Sequence, residues 1–309
     1  VNRTSGILHD AVPESWRSHR FGLPAARWES LAGKVFWVIG AGTGYGRCIA
    51  TCLALAEAAV FLTGRRADRL ESTKHEAVAL GASETACRVL PADTTKASEL
   101  EQASARIAAS AMRLDGLVCC AALPQAGPSH PLATLEEASW RRLIETNVTG
   151  QWLAARAALP LLARNPSFRI LFLTSEAGWA ATAGFGPYNV SKAALNSLSM
   201  SLAEECAARF AGLDVQVNAL DPGEAHTEMN QESPHSPYFV VSMALALLSH
   251  PAGGPNGRFF HRDGRHLAFA YAREWDRPLI APVAKTSPRD GRLTWAARLG
   301  RLARGKQRM

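Results

Sequence analysis

No apolar run in this chain approaches the ~18 residues of a bilayer-spanning helix. The best stretch, FVVSMALALL at 239–248, is short, is broken by Ser242 and reads as a packed helix. The N-terminus, VNRTSGILHDAVPESW, lacks an apolar core behind a basic start, so no secretory signal is visible and a cytoplasmic location is expected. The six cysteines, at 48, 52, 87, 119, 120 and 206, include no CxxC pair, and no histidines cluster at metal-ligand spacing. They read as reduced core residues, and no metal site is expected. Most of the chain also lacks an excess of either charge. Residues 285–309 carry eight Lys or Arg and one Asp, which accounts for the whole formal charge of +7. A neutral body with a basic tail argues against nucleic acid as a partner. The tail reads either as a solvated end or as a short amphipathic helix, with Trp295, Leu299 and Leu302 on one face, that docks on an acidic partner.

What is present is a globular composition, 47 % hydrophobic and 20 % charged over 309 residues. Six nearly continuous apolar runs stand out: KVFWVIG (34–40), AAVFLTG (58–64), ACRVLPA (86–92), DGLVCCA (115–121), FRILFLTS (168–175) and DVQVNAL (214–220). Runs of this kind suit strands covered on both faces. Helical patterns such as RADRLESTKHEAVAL separate them. The alternation predicts one α/β domain, a Rossmann-type doubly wound parallel sheet flanked by helices on both faces, over residues 33–265. Residues 1–32 are then an N-terminal extension and 266–309 a C-terminal extension with the basic tail.

The first predicted strand runs into GAGTGYGRCIA, with glycines at 40, 44 and 46 around Tyr45, and then into a helix. Glycine suits such a turn because the chain reverses sharply and because a Cβ would hold the backbone away from a pyrophosphate at the helix N-terminus. The second strand ends in TGRR, placing Arg65 and Arg66 where an NAD-preferring site carries an acid for the ribose. Guanidinium there pairs with a 2′-phosphate, which favours NADP(H) over NAD(H), unless the arginines are merely solvated at a helix start. Further on, Tyr188 stands four residues before Lys192 in FGPYNVSKAAL, so phenol and ammonium share a helix face. That spacing alone fits a surface pair as well as a tuned acid.

Together these motifs resemble the classical short-chain dehydrogenases/reductases over residues ~33 to ~265. The spacing GxxxGxG, Ser175 at a strand end thirteen residues before Tyr188, the YxxxK pair and the N-x-x-x-P-G segment in NALDPGEAHTEM all occur in order. The resemblance implies a catalytic set of Asn147, Ser175, Tyr188 and Lys192. Tyr188 would be the general acid or base, Ser175 would hydrogen-bond the substrate oxygen, and Lys192, with the positively charged nicotinamide, would lower the phenol pKa; Lys192 would also hold the nicotinamide ribose. Asn147, placed at a helix start, would hold a relay water. The resemblance also assigns Asp93 to the adenine ring, places Thr227 where a hydroxyl contacts the nicotinamide carboxamide or phosphates, and counts Thr94, Ala121, Pro222 and Gly223 among the cofactor-binding residues. Cys119 and Cys120 stand where the family usually has Asn-Asn, and Ile39 replaces a usual threonine; neither departure touches the catalytic set.

The expected substrate is a small carbonyl compound or secondary alcohol. A ketoreductase acting on chains held by an acidic carrier protein is the alternative, as is a binding module that senses NADP(H) without chemistry. Glu176, Trp179, Phe185 and Phe239 are the candidate substrate-side residues, and the three aromatics serve equally as packing. NQESPHSPYF (230–239) occupies the family's lid position. The segment HLAFAYAREWDRPL is unassigned between covering the site and covering an oligomer face. The resemblance implies a homodimer or homotetramer.

Overall fold

The computed structural model describes residues 12–124, 131–179 and 184–267. Eight strands form one sheet in the order β3-β2-β1-β4-β5-β6-β7-β8. They are β1 (Val35–Ile39), β2 (Ala59–Thr63), β3 (Cys87–Val89), β4 (Gly116–Cys119), β5 (Ser167–Leu173), β6 (Asp214–Asp221), β7 (Arg258–His261) and β8 (His266–Leu267). Pairings from β3 to β7 are parallel, and only β7 with β8 is antiparallel. All six predicted strands are present. The third is shorter than the sequence suggests because Pro91, with no N–H to donate, follows closely.

The helices are α1 (Trp16–His19), α2 (Ala25–Glu29), α3 (Gly44–Leu55), α4 (Ala67–Ala79), α5 (Ala97–Ala111), α6 (Glu137–Ile144), α7 (Gly150–Leu162), α8 (Gly186–Arg209) and α9 (Val241–Leu248). Strand periodicity sorts the core into two layers. In β1, Phe36 and Val38 join the layer containing α3 and α9, while Val35, Trp37 and Ile39 join the layer containing α5, α7 and α8. Both faces are covered, which is why the runs read as continuously apolar. Each large side chain so buried contributes roughly 1.5–3 kcal/mol. The indole of Trp37 is satisfied inside this layer: its Nε1 donates to Thr63 Oγ1 at 2.8 Å, and Thr63 donates on to the Leu90 carbonyl at 2.9 Å.

The segment before β1 shares this core. Phe21 is 1 % exposed and stacks on Tyr238, with ring centroids 5.7 Å apart; Trp16 and Trp28 stack at 5.4 Å. The β6–α9 connection that carries Tyr238 is thereby anchored. Strand order reverses between β1 and β4, which opens a crevice at the carboxyl ends of the strands. The site lies there.

Candidate active site

The glycine turn is set by close approach. Gly40 has φ +79°, and a Cβ on it would lie 2.7 Å from Ala121 Cα; one on Gly46 would strike the Gly40 carbonyl. Gly44, at φ +54°, opens α3 beside Thr227. Thr43, the cap of α3, makes no capping hydrogen bond with its side chain, so the first-turn N–H groups have no side-chain acceptor there. They border a cleft of about 460 Å³. The predicted Gly40, Gly44, Tyr45, Gly46, Asp93, Thr94, Ala121 and Thr227 all line it, as do Arg65 and Arg66. A glycine cradle, open helix amides and guanidinium groups fit a phosphorylated dinucleotide.

Two charged lining residues escaped the sequence reading. Arg69, one turn into α4, and Glu228, after β6, meet at the cleft: Glu228 receives Arg66 Nη2 at 2.7 Å and Arg69 Nη2 at 3.4 Å. The two partners are 162 positions from Arg66 to Glu228, so no local pattern signals the contact. Asp93 Oδ1 accepts Thr95 N–H at 3.0 Å and Thr95 Oγ1 at 2.8 Å; burial pushes its carboxyl up, but these bonds and the nearby Arg65 hold it below the ordinary value. Pro222 and Gly223 stand beside the cleft rather than in its lining, and the Tyr45 hydroxyl donates to the Gly223 carbonyl at 2.6 Å.

The catalytic candidates converge at the end of β5. Ser175 follows Leu173 and Thr174, its Oγ accepts Ala177 N–H at 3.1 Å, and it lies close enough to the Tyr188 phenol to oppose the rise of its pKa. Tyr188 lies in the first turn of α8 and Lys192 one turn later. Lys192 is 3 % exposed, and burial draws its ammonium down to about 8. Lys192 does not by itself lower the Tyr188 pKa. Burial pushes the phenol up to about 12, Ser175 opposes this, and Asp221 adds to it. The reason is geometric: Lys192 Nζ donates to the Leu173 carbonyl at 3.1 Å and stands over the Tyr188 ring, 5.5 Å from its centroid, instead of meeting the hydroxyl.

Asn147 also departs from expectation. It sits inside a π-helical turn, Glu145–Thr149, between α6 and α7, not at a helix start. Its Oδ1 accepts Leu123 N–H at 2.7 Å, and its Nδ2 donates to Leu123 O and to Ser191 Oγ, each at 3.1 Å. Ser191 Oγ in turn donates to the Tyr188 carbonyl at 2.7 Å. Where Cys119 and Cys120 replace asparagines, Gln151 of α7 donates to the Ala121 carbonyl, a second contact that sequence did not reveal. Cys119 is buried and Cys120 lines the cleft.

The substrate-side candidates are dispersed. Glu176 opens the short helical turn Glu176–Gly178 that follows Ser175. Trp179 packs on Phe259, with centroids 4.5 Å apart, and Phe185 is exposed ahead of α8. Phe239 is buried beneath Arg262 and His235. None of them lines the 460 Å³ cleft. Leu267 is the last described residue, so the basic tail and most of HLAFAYAREWDRPL lie outside the described residues. Among the described residues no helix is long and apolar enough to cross a membrane.

A rhamnolipid-biosynthesis 3-oxoacyl-[acyl-carrier-protein] reductase of Pseudomonas aeruginosa is 30 % identical over 240 residues, covering 74 % of this chain and 85 % of that one. Among solved structures, a short-chain type dehydrogenase/reductase of Mycobacterium ulcerans superposes with a TM-score of 0.68 at 28 % identity, covering 74 % of this chain and 88 % of the other. A short chain dehydrogenase of Shigella flexneri complexed with NADP matches with a TM-score of 0.68 at 26 % identity, over 76 % and 99 % of the two chains. Residues 34–237 match the family model for short chain dehydrogenase, so the glycine turn, the parallel sheet and the Ser-Tyr-Lys cluster belong to a member of the short-chain dehydrogenase/reductase family of oxidoreductases.

Proposed function

We propose that this protein is an NADP(H)-dependent oxidoreductase that interconverts a ketone and a secondary alcohol, or an aldehyde and a primary alcohol, with Tyr188 as the general acid and base. The observation that carries this reading is the grouping of Ser175 at the end of β5 with Tyr188 and buried Lys192 one turn apart on α8, in a fold whose cleft bears Arg65, Arg66 and Arg69. The glycine turn and the open amides of α3 would hold the pyrophosphate, and Arg65 or Arg66 the 2′-phosphate. When bound, the reduced nicotinamide supplies a hydride to the carbonyl carbon. Tyr188 gives its proton to the carbonyl oxygen as negative charge develops there, and Ser175 donates a hydrogen bond to the same oxygen. A phenol raised to about 12 is fully protonated at neutral pH, as a proton donor must be. Asn147 fixes the chain after β4 and keeps one acceptor site on Oδ1 for a relay water.

The carrier-protein alternative is favoured by one observation, the 3-oxoacyl-[acyl-carrier-protein] reductase among the relatives, and the basic tail suits an acidic carrier. Half-exposed Trp152 on α7 and Val190 and Met200 on α8 support a homodimer or homotetramer built on these helices. The test follows NADPH absorbance with a panel of free ketones and carrier-linked 3-oxoacyl chains, in wild type and Tyr188→Phe. Turnover by wild type and its loss in the variant support the reading. Equal turnover by both overturns it.

A further inference from the structure

Glu228 follows shortly after the end of β6, yet its carboxylate reaches α4: Oε2 accepts Arg66 Nη2 at 2.7 Å, and Oε1 faces Arg69 Nη2 at 3.4 Å. Arg66 caps α4, Arg69 follows within it, and both line the cleft. A carboxylate from a distant part of the chain thus occupies guanidinium groups suited to a 2′-phosphate. The turn that carries it is braced from within. Thr227 N–H donates to the Asn230 carbonyl at 3.0 Å and Asn230 N–H returns to the Thr227 carbonyl at 3.1 Å, so Glu228 and Met229 form the tip. Behind the tip, His226 N–H donates to the His235 carbonyl at 2.7 Å, and Asn230 Oδ1 accepts Ser233 N–H at 3.2 Å.

Both ends of this connection are held. At one end the Tyr45 hydroxyl donates to the Gly223 carbonyl at 2.6 Å; at the other the Tyr238 hydroxyl donates to Glu76 Oε1 at 2.5 Å and its ring stacks on Phe21. Between them, among the described residues, the polar contacts that join the tip to α4 are those of Glu228. The carboxylate also has a second place to go. Arg69, Thr227 and Glu228 line another cavity, of about 350 Å³, to which Ser72, His226 and Gln231 bring polar groups. Glu228 therefore stands between two cavities. Its ion pairs are about half exposed, and pairs so exposed contribute little to stability. A phosphate monoester brings up to two negative charges and three acceptor oxygens against the single charge of a carboxylate, so the exchange favours the phosphate.

We infer that Glu228 is a specificity-determining latch: its carboxylate fills the seat of a 2′-phosphate and ties the turn at 226–235 to α4, and an arriving 2′-phosphate displaces it and frees the turn. A ligand that bears this phosphate therefore releases the turn, and the same ligand without it does not. The inference rests on the NADP(H) reading given above.

The test uses the full chain with adenosine 2′,5′-bisphosphate and 5′-AMP, which differ by that phosphate alone, and the variant Glu228→Gln, which keeps the shape of the side chain and removes its charge. By calorimetry the variant should bind the bisphosphate roughly two- to thirty-fold more tightly than wild type, the range that two exposed ion pairs correspond to, with little change for 5′-AMP. The turn is read separately. With five methionines in the chain, 13C-methyl labelling gives a short spectrum in which Met229→Leu assigns the tip. The Met229 methyl should gain mobility in Glu228→Gln alone, and in wild type on adding the bisphosphate but not 5′-AMP. Equal affinity of wild type and variant for the bisphosphate, or a Met229 methyl indifferent to the 2′-phosphate, overturns the latch while the cofactor reading stands. If the bisphosphate binds neither protein more tightly than 5′-AMP does, the NADP(H) reading fails and the latch with it.

Discussion

Arg66 Nη2 meets Glu228 Oε2 at 2.7 Å across the mouth of the cleft, and Arg69 reaches the other carboxylate oxygen at 3.4 Å. A 2′-phosphate entering there competes with Glu228 for the same guanidinium groups. NADPH is expected to bind more tightly than NADH by ~1 to 3 kcal/mol if one charged hydrogen bond makes the difference. Arg66→Ala should narrow that gap and Glu228→Gln should widen it. Calorimetric titration decides, and NADH binding as tight as NADPH would count against the preference.

Tyr188→Phe keeps the ring and removes the proton. Carbonyl reduction should fall at least ~10²-fold while NADPH affinity barely changes, since general acid catalysis contributes roughly 10²- to 10⁴-fold. Lys192→Met should weaken both turnover and cofactor binding. Steady-state kinetics and fluorescence titration of NADPH separate the two effects.

Alkaline pH should destabilise the fold through its thiols. Burial pushes Cys48 up to about 12 and Cys87 and Cys206 up to about 11, with Cys52 and Cys119 also raised. Below the ordinary thiol value these groups are protonated in both states. Above it the unfolded chain sheds protons that the folded chain keeps, so stability is lost as pH rises from about 9 toward about 11. Lys192, drawn down to about 8, and Lys34, also lowered by burial, act in the opposite sense below about 10.5, against six raised thiols with Cys120 among them. Urea midpoints under reducing conditions should fall over this range, with a shallower slope in Cys52→Ala. A midpoint that rises with pH contradicts the account.

Truncation before residue 285 tests the tail. If the tail is only a solvated end, melting temperature and turnover of a free ketone should be unchanged. A carrier-docking tail instead requires a selective loss with the acidic carrier-linked substrate, mimicked in the full chain by high salt. Equal turnover of that substrate before and after truncation removes the docking role.

The strands were legible because a doubly covered sheet needs apolar residues at every position, so Val35–Ile39 announces itself without any knowledge of its neighbours. The glycine turn was legible for a similar reason, since Gly40 and Gly46 answer to clashes within one βα unit and the chain passing next to it. The grouping of Ser175, Tyr188 and Lys192 followed from a strand end and one helical turn. Contacts between distant segments left no such trace. Arg69 with Glu228, Gln151 with Ala121, and Tyr45 with Gly223 depend on where loops land. The position of the Lys192 ammonium was misread because spacing reports which face a side chain shares, not which carbonyl it finds.

The π-helical turn around Asn147 is a helix carrying one residue more than its hydrogen-bond ladder needs. Deleting one residue from Glu145–Thr149 would let that turn close as an ordinary α-turn, with α6 and α7 keeping their places in the core. Leu123 and Ser191 would then lose the amide that joins them. In this family member, folding and chemistry can be uncoupled by the length of a single helical turn: the shorter chain keeps its architecture, and what it loses is the brace behind Tyr188.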